Sequence, residues 1–182
     1  MDERLPGIRP RPSLWRRLDG AARRAFPSVT TMLMLLVVAA PFGISGQAEM
    51  QSAIALCCVF FWSVYRPDSM PPPAVFVIGL FADLLAFAPP GVGVLSLLVA
   101  HGLAMRWRRH LSRQGFLLPW LAFVSVAICL AALQWLLTCV LTFRLLPPTP
   151  AAFQAALAAG LYPILAVPLA AAHRTVAEPA HA

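Results

Sequence analysis

The chain contains no lysine, and only seven of its 182 residues are acidic. It also lacks a hydrophilic stretch long enough for a soluble domain, the longest being the first 25 residues and the segment 106–115. No C-x-x-C pair, H-E-x-x-H, P-loop, Ser-His-Asp set or pair of catalytic carboxylates occurs. These absences leave no positive sign of an enzyme, a cofactor or a metal centre, and the expectation is a non-enzymatic protein. The four cysteines, Cys57, Cys58, Cys129 and Cys139, all lie inside apolar runs. Buried cysteine behaves as a small hydrophobe, so packing is their expected role.

What is abundant is apolar. Hydrophobic residues make up 60% of the chain and charged ones 12%, with a mean hydropathy of +0.76. A soluble domain has about 45–50% and about 25% respectively. The formal charge of +7 is carried by arginine, and the arginines fall between apolar runs. That placement points to a membrane and away from nucleic acid. The sequence therefore predicts an all-α integral membrane protein.

Proline, glycine and arginine mark the boundaries of six spans, at about 26–44, 50–65, 72–88, 92–105, 116–143 and 150–172. Together these form one transmembrane domain, 26–172, between a basic arm, 1–25, and a short polar tail, 173–182. In the arm, Leu14, Trp15, Leu18, Ala22 and Ala25 share one helical face and Arg16, Arg17, Arg23 and Arg24 the other. That pattern suits a helix lying on an anionic membrane surface. A disordered arm that only sets topology suits it equally. Trp62 and Tyr65, near the end of the second span, fit an interfacial aromatic belt. The third span has about 17 residues, about 25 Å of helix, short of a hydrocarbon core of about 30 Å. With six crossings every arginine except Arg144 faces one side. Both termini are then cytoplasmic by the positive-inside rule.

The candidate site lies in 66–93, RPDSMPPPAVFVIGLFADLLAFAPPGVG. Asp83 is the one carboxylate well inside an apolar run, and such residues are costly in a membrane. Phe76, Gly79, Asp83 and Phe87 share a helical face, and glycine at 79 admits a close neighbouring helix. A proton or cation site is one reading of Asp83. A polar contact within the bundle, to Gln134, Ser125, Thr138 or backbone, or one with a partner helix, is preferred. On that reading Asp83→Asn keeps most function, because the amide still hydrogen-bonds, and Asp83→Leu loses partner association. Arg66, Pro67 and Asp68 form a stiff turn in which Asp68 can cap the next helix or pair with Arg66. His101 is expected to be a hydrogen-bonded interior residue and Gln134 an interhelical tie. Ala152, Ala156 and Gly160 have small-xxx-small spacing, which suits close helix contact. Pro163 and Pro168 are expected to kink the last span.

Arg66-Pro67-Asp68, Pro72-Pro73, Phe76 with Gly79-Leu80, Asp83-Leu84-Leu85, then Pro89 and Gly91, resemble the MreD family of bacterial rod-shape-determining membrane proteins. The layout of the whole chain is similar to that family. The resemblance implies a scaffold in the bacterial inner membrane that serves cell elongation and peptidoglycan synthesis. It implies as partners an MreC-like bitopic protein, the MreB filament, a RodA-type glycosyltransferase and its penicillin-binding transpeptidase, besides membrane lipids. The interface residues it suggests are Arg66, Pro67, Asp68, Phe76, Gly79, Asp83 and Gly91. The substrate-binding subunits of vitamin transporters have a similar small multi-span plan, so a solute-binding transporter subunit is the alternative.

Overall fold

The computed structural model of the chain describes residues 14–40, 46–86, 89–111 and 115–177. Among them are six α-helices and no strand: α1 (Leu14–Ala39), α2 (Gln47–Tyr65), α3 (Pro72–Leu85), α4 (Val92–Leu111), α5 (Leu117–Thr142) and α6 (Thr149–Ala177). A 3-10 turn, Pro67–Ser69, joins α2 to α3. Four stretches are long and apolar enough to cross a membrane: Ala22–Ala39, Gln47–Tyr65, Leu117–Thr142 and Thr149–Ala172. α3, at 14 residues, is only about 21 Å long.

The helix boundaries correct the sequence reading in several places, α6 for one continuing past 172 to Ala177. The amphipathic segment of the arm and the first span are one continuous helix, α1, which carries Pro27 in its interior. α4 does not stop at 105 but continues through Arg106, Arg108 and Arg109 to Leu111. α3 ends at Leu85, short of the expected 88. Positions 1–13, 41–45, 87–88, 112–114 and 178–182 lie outside the described residues, and with them most of the basic arm and Phe87.

α2 is the axis of the bundle. Its apolar stretch is 72% buried, against 17% for that of α1 and 22% for those of α5 and α6. α2 packs on α1, α4 and α6; α3 lies along α4, and α5 along α6. Trp62 is fully buried and packs edge-on against Phe26 of α1, ring centroids 6.3 Å apart. It is therefore a core residue, not part of an interfacial belt. Beyond its polar first turns α2 is apolar on nearly every side from Ala53 to Val64, and a helix stretch of that kind belongs inside a bundle. Phe60 meets Phe123 at 5.2 Å, and Phe123 stacks on Tyr162 at 4.3 Å, tying α2, α5 and α6 together.

Unpaired backbone groups are costly in an apolar surround, and here they find side-chain partners. Pro163 has no N–H, which frees the carbonyl of Ala159 one turn earlier. The Trp120 indole N–H donates to that oxygen at 3.0 Å. At the end of α1, one Gln47 amide nitrogen donates to both Val38 O and Ala40 O, each at 2.7 Å. The small-residue stripe behaves differently from its expected bundle role. Ala152, Ala156 and Gly160 are all exposed, and a methyl group at Gly160 would meet nothing.

Candidate functional site

α4 starts with a problem of backbone chemistry. The first N–H groups of a helix have no intrahelical acceptor, and a Ser, Thr, Asp or Asn side chain at the N-cap normally receives them. The residue in that position here is Gly91, with φ +101°, a left-handed conformation that favours glycine. Glycine has no side chain to offer. The carboxylate of Asp83, eight residues earlier on α3, takes its place.

Gly91 N–H donates to Asp83 Oδ2 at 2.8 Å, Gly93 N–H to Oδ1 at 2.9 Å and Val94 N–H to Oδ2 at 3.4 Å. Asp83 is 4% exposed. A negative group at a helix N-terminus also meets the positive end of the helix dipole, which stabilises the carboxylate further. Two glycines make room for the arrangement. A Cβ at Gly93 would run into Asp83 Oδ1, and one at Gly79 would sit 2.6 Å from the Val94 Cα. Gly79, Asp83, Gly91 and Gly93 thus form a single device that seals α3 to the first turn of α4.

Of the expected polar contacts of Asp83, the backbone alternative is the one found. Gln134 instead accepts from the Gln154 amide at 2.6 Å and joins α5 to α6. Thr138 and Ser125 donate to carbonyls of their own helix. The same geometry argues against the expectation that Asp83→Asn keeps most function. Both oxygens accept from backbone N–H groups, so an amide would turn a donor toward a donor. The close neighbour admitted by Gly79 is α4 of the same chain, and Gly79 and Asp83 are both buried there.

The remaining residues of the candidate set lie elsewhere. Arg66 closes α2 by donating its N–H to Trp62 O at 2.7 Å. Pro67 opens the following turn and Asp68 is exposed in it. This turn is a whole helix, about 20 Å, from Asp83. Asp68 does not cap α3, whose N-cap is Pro71 with no side-chain hydrogen bond. Nor does it satisfy Arg66 Nη1, which is buried without a partner. Phe76, despite its helical register with Asp83, is 48% exposed.

His101 sits between α4 and α2, its Nδ1 2.8 Å from Ser63 Oγ. The Ser63 hydroxyl has one proton and gives it to Val59 O at 2.6 Å. With that proton spent, the ring donates from Nδ1 and the Ser63 oxygen accepts. Among the described residues no group of three or more His, Cys, Asp or Glu side chains gathers where a metal ion could be held.

Sequence reasoning missed Gly93, although a signal for it was present. Pro-Pro-Gly-Val-Gly leads straight into a helix with no capping residue, and that helix must find its acceptor elsewhere. Beside this junction a cleft of about 320 Å³ opens between the first turns of α2, α4 and α6 and the later part of α5. The chain matches no protein-family model, no curated protein and no solved structure.

Proposed function

We propose that the chain is a six-span, non-enzymatic scaffold of the MreD kind in the bacterial inner membrane, acting in cell elongation with both termini in the cytoplasm. The observation that carries this reading is the unit formed by the residues of the resemblance. Gly79, Asp83 and Gly91, drawn from that motif, meet in one sealed helical hairpin. A motif whose polar atoms are all committed to holding the fold together suits a scaffold. The outward faces support the same role. Val77, Leu80 and Leu84 of α3 and Leu95 and Val99 of α4 are exposed apolar residues, available to lipid or to a partner span.

The orientation rests on charge. The exposed Arg106 and Arg109 end α4, and Arg66 ends α2. At the opposite end, where α2, α4 and α6 begin, Arg144 is the only arginine among the described residues. By the positive-inside rule the arginine-rich end is cytoplasmic. Thiol labelling from outside the cell should modify Leu145→Cys and spare His110→Cys. Leu145, 93% exposed, is a better reporter than Gln47, whose side chain caps α1. The reverse labelling pattern would overturn the topology.

The partners implied by this role are an MreC-like bitopic protein, the MreB filament, a RodA-type glycosyltransferase and its penicillin-binding transpeptidase. Photo-crosslinkers belong at the exposed positions Leu80 and Leu84, not at the buried Gly79 and Asp83. The cleft of about 320 Å³ favours the alternative, a solute-binding subunit of a transporter. Depletion separates the two. A scaffold gives rounded cells in every medium, whereas an uptake subunit gives a growth defect cured by the missing nutrient. Rounding cured by a nutrient would sink the scaffold reading.

A further inference from the structure

The cleft beside the α3–α4 junction is rich in acceptors. Glu49 and Ser52 lie three residues apart on one face of α2 and both line it. Among the described residues nothing hydrogen-bonds the Glu49 carboxylate or the Ser52 hydroxyl, and neither residue is fully buried. Across the cleft, the Gln154 amide nitrogen is committed to Gln134, which leaves the Gln154 carbonyl oxygen free to accept. The Trp135 ring forms part of the wall, its N–H held by Leu146 O at 3.0 Å. No lining residue is basic.

A carboxylate, a hydroxyl and an amide carbonyl are groups that recognise an ammonium ion by charge-assisted hydrogen bonds. Asp83, Gln134 and Thr138 also line the cleft, each hydrogen-bonded within the chain, and the alanine, proline, valine and leucine side chains suit an apolar stem. The volume is at the lower end for a small-molecule pocket, about 300–1,000 Å³.

Three helices begin at this end, and helix N-termini favour anions. Two of these positive ends, those of α4 and α2, are already answered from within the chain, while α6 has no acidic residue in its first turn. Asp83 occupies the start of α4, and Glu49 lies in the first turn of α2. An incoming anion would meet the Glu49 carboxylate.

We propose that this cleft binds a primary ammonium group carried on a short apolar stem. The inference stands apart from the scaffold reading, because it is tested by binding and not by cell shape. The probes are n-butylamine, n-butanol and butyrate, followed by ligand-observed NMR against the full chain in phosphatidylglycerol nanodiscs, with empty nanodiscs as blank. The amine should bind saturably, and the alcohol and the acid at least about tenfold more weakly.

Glu49→Gln should bring the amine down to the level of the alcohol while the protein keeps its melting temperature. Ala151→Phe, which fills the cleft and leaves the carboxylate in place, should abolish binding of all three. Nanodiscs containing phosphatidylethanolamine identify the source of the ammonium. A loss of amine binding there assigns the cleft to a lipid headgroup, and unchanged binding assigns it to a dissolved amine. Equal binding of amine and alcohol would overturn the proposal, as would tighter binding of butyrate or an amine affinity indifferent to Glu49→Gln.

Discussion

Two turns bracket α3, and an aspartate attends each, Asp68 within the first and Asp83 in the last turn of α3 just before the second. At the first, Asp68 is exposed beside prolines that already set the backbone, and it neither caps the following helix nor relieves the buried Nη1 of Arg66. At the second, Asp83 is buried and receives three backbone N–H groups. The difference lies in what the neighbouring backbone requires. α3 begins with Pro71 and Pro72, and neither has an N–H to satisfy. α4 begins with Gly91, Val92 and Gly93, each with a donor and none with an accepting side chain. An acidic residue matters structurally where donors are orphaned in an apolar surround.

Asp83→Asn is the most direct way to break this comparison, and it should have the largest effect. Replacing one accepting oxygen by an NH2 group leaves at least one buried backbone donor facing another donor. The expected loss is about 2–4 kcal/mol. It should be read as a large drop in melting temperature in detergent and in the amount of folded protein in membranes. Asp83→Leu should be equally damaging. An Asn variant as stable as the parent would show that the carboxylate contributes no more than a neutral acceptor.

Gly79→Ala should come next. The new methyl group would meet the Val94 backbone at 2.6 Å, and backbone yields less readily than a side-chain tip. A cost of about 1–3 kcal/mol is expected from this overpacking. Because the same shift moves the N–H of Val94 away from Asp83, Gly79→Ala and Asp83→Asn should be less than additive. Melting temperatures of the two single variants and the double variant measure the coupling. Gly91→Ala should cost less, about 1 kcal/mol, since its methyl group would meet nothing and only the positive φ is penalised. Full additivity of the first pair would show that cap and close approach are independent.

Much of this hairpin was legible in the sequence, and the illegible part has a physical reason. Helical periodicity and proline punctuation located every helix that was expected, and Gly79 read correctly as a site of close approach. The partner of Asp83 could not be read. Register places Asp83 on a face but does not say which element covers that face, and the covering element is the turn that follows in the chain. The same limit misplaced Trp62. An aromatic near the end of an apolar run looks interfacial until the helix proves to be the central one. The cleft was invisible for a related reason. Glu49, Ser52, Trp135 and Gln154 come from three helices, and only tertiary packing brings them together.

Asp68→Ala sharpens the comparison from the other side, and its expected effect on the fold is the smallest. The side chain is exposed, caps nothing, and sits in a turn already fixed by Pro67 and Pro71. Exposed substitutions away from caps and buried networks stay within about 0.5 kcal/mol. The melting temperature should therefore match that of the parent chain, in contrast to Asp83→Asn. A stability-neutral residue can still serve a surface role, and the Arg-Pro-Asp turn belongs to the stretch that carries the resemblance. The scaffold reading expects Asp68→Ala to weaken rod-shape complementation while protein level and melting temperature stay unchanged. That outcome would mark the turn as a docking epitope on the arginine-rich end. Full complementation would confine the first turn to chain reversal, and a large loss of stability would mean that Asp68 holds a backbone contact comparable to that of Asp83.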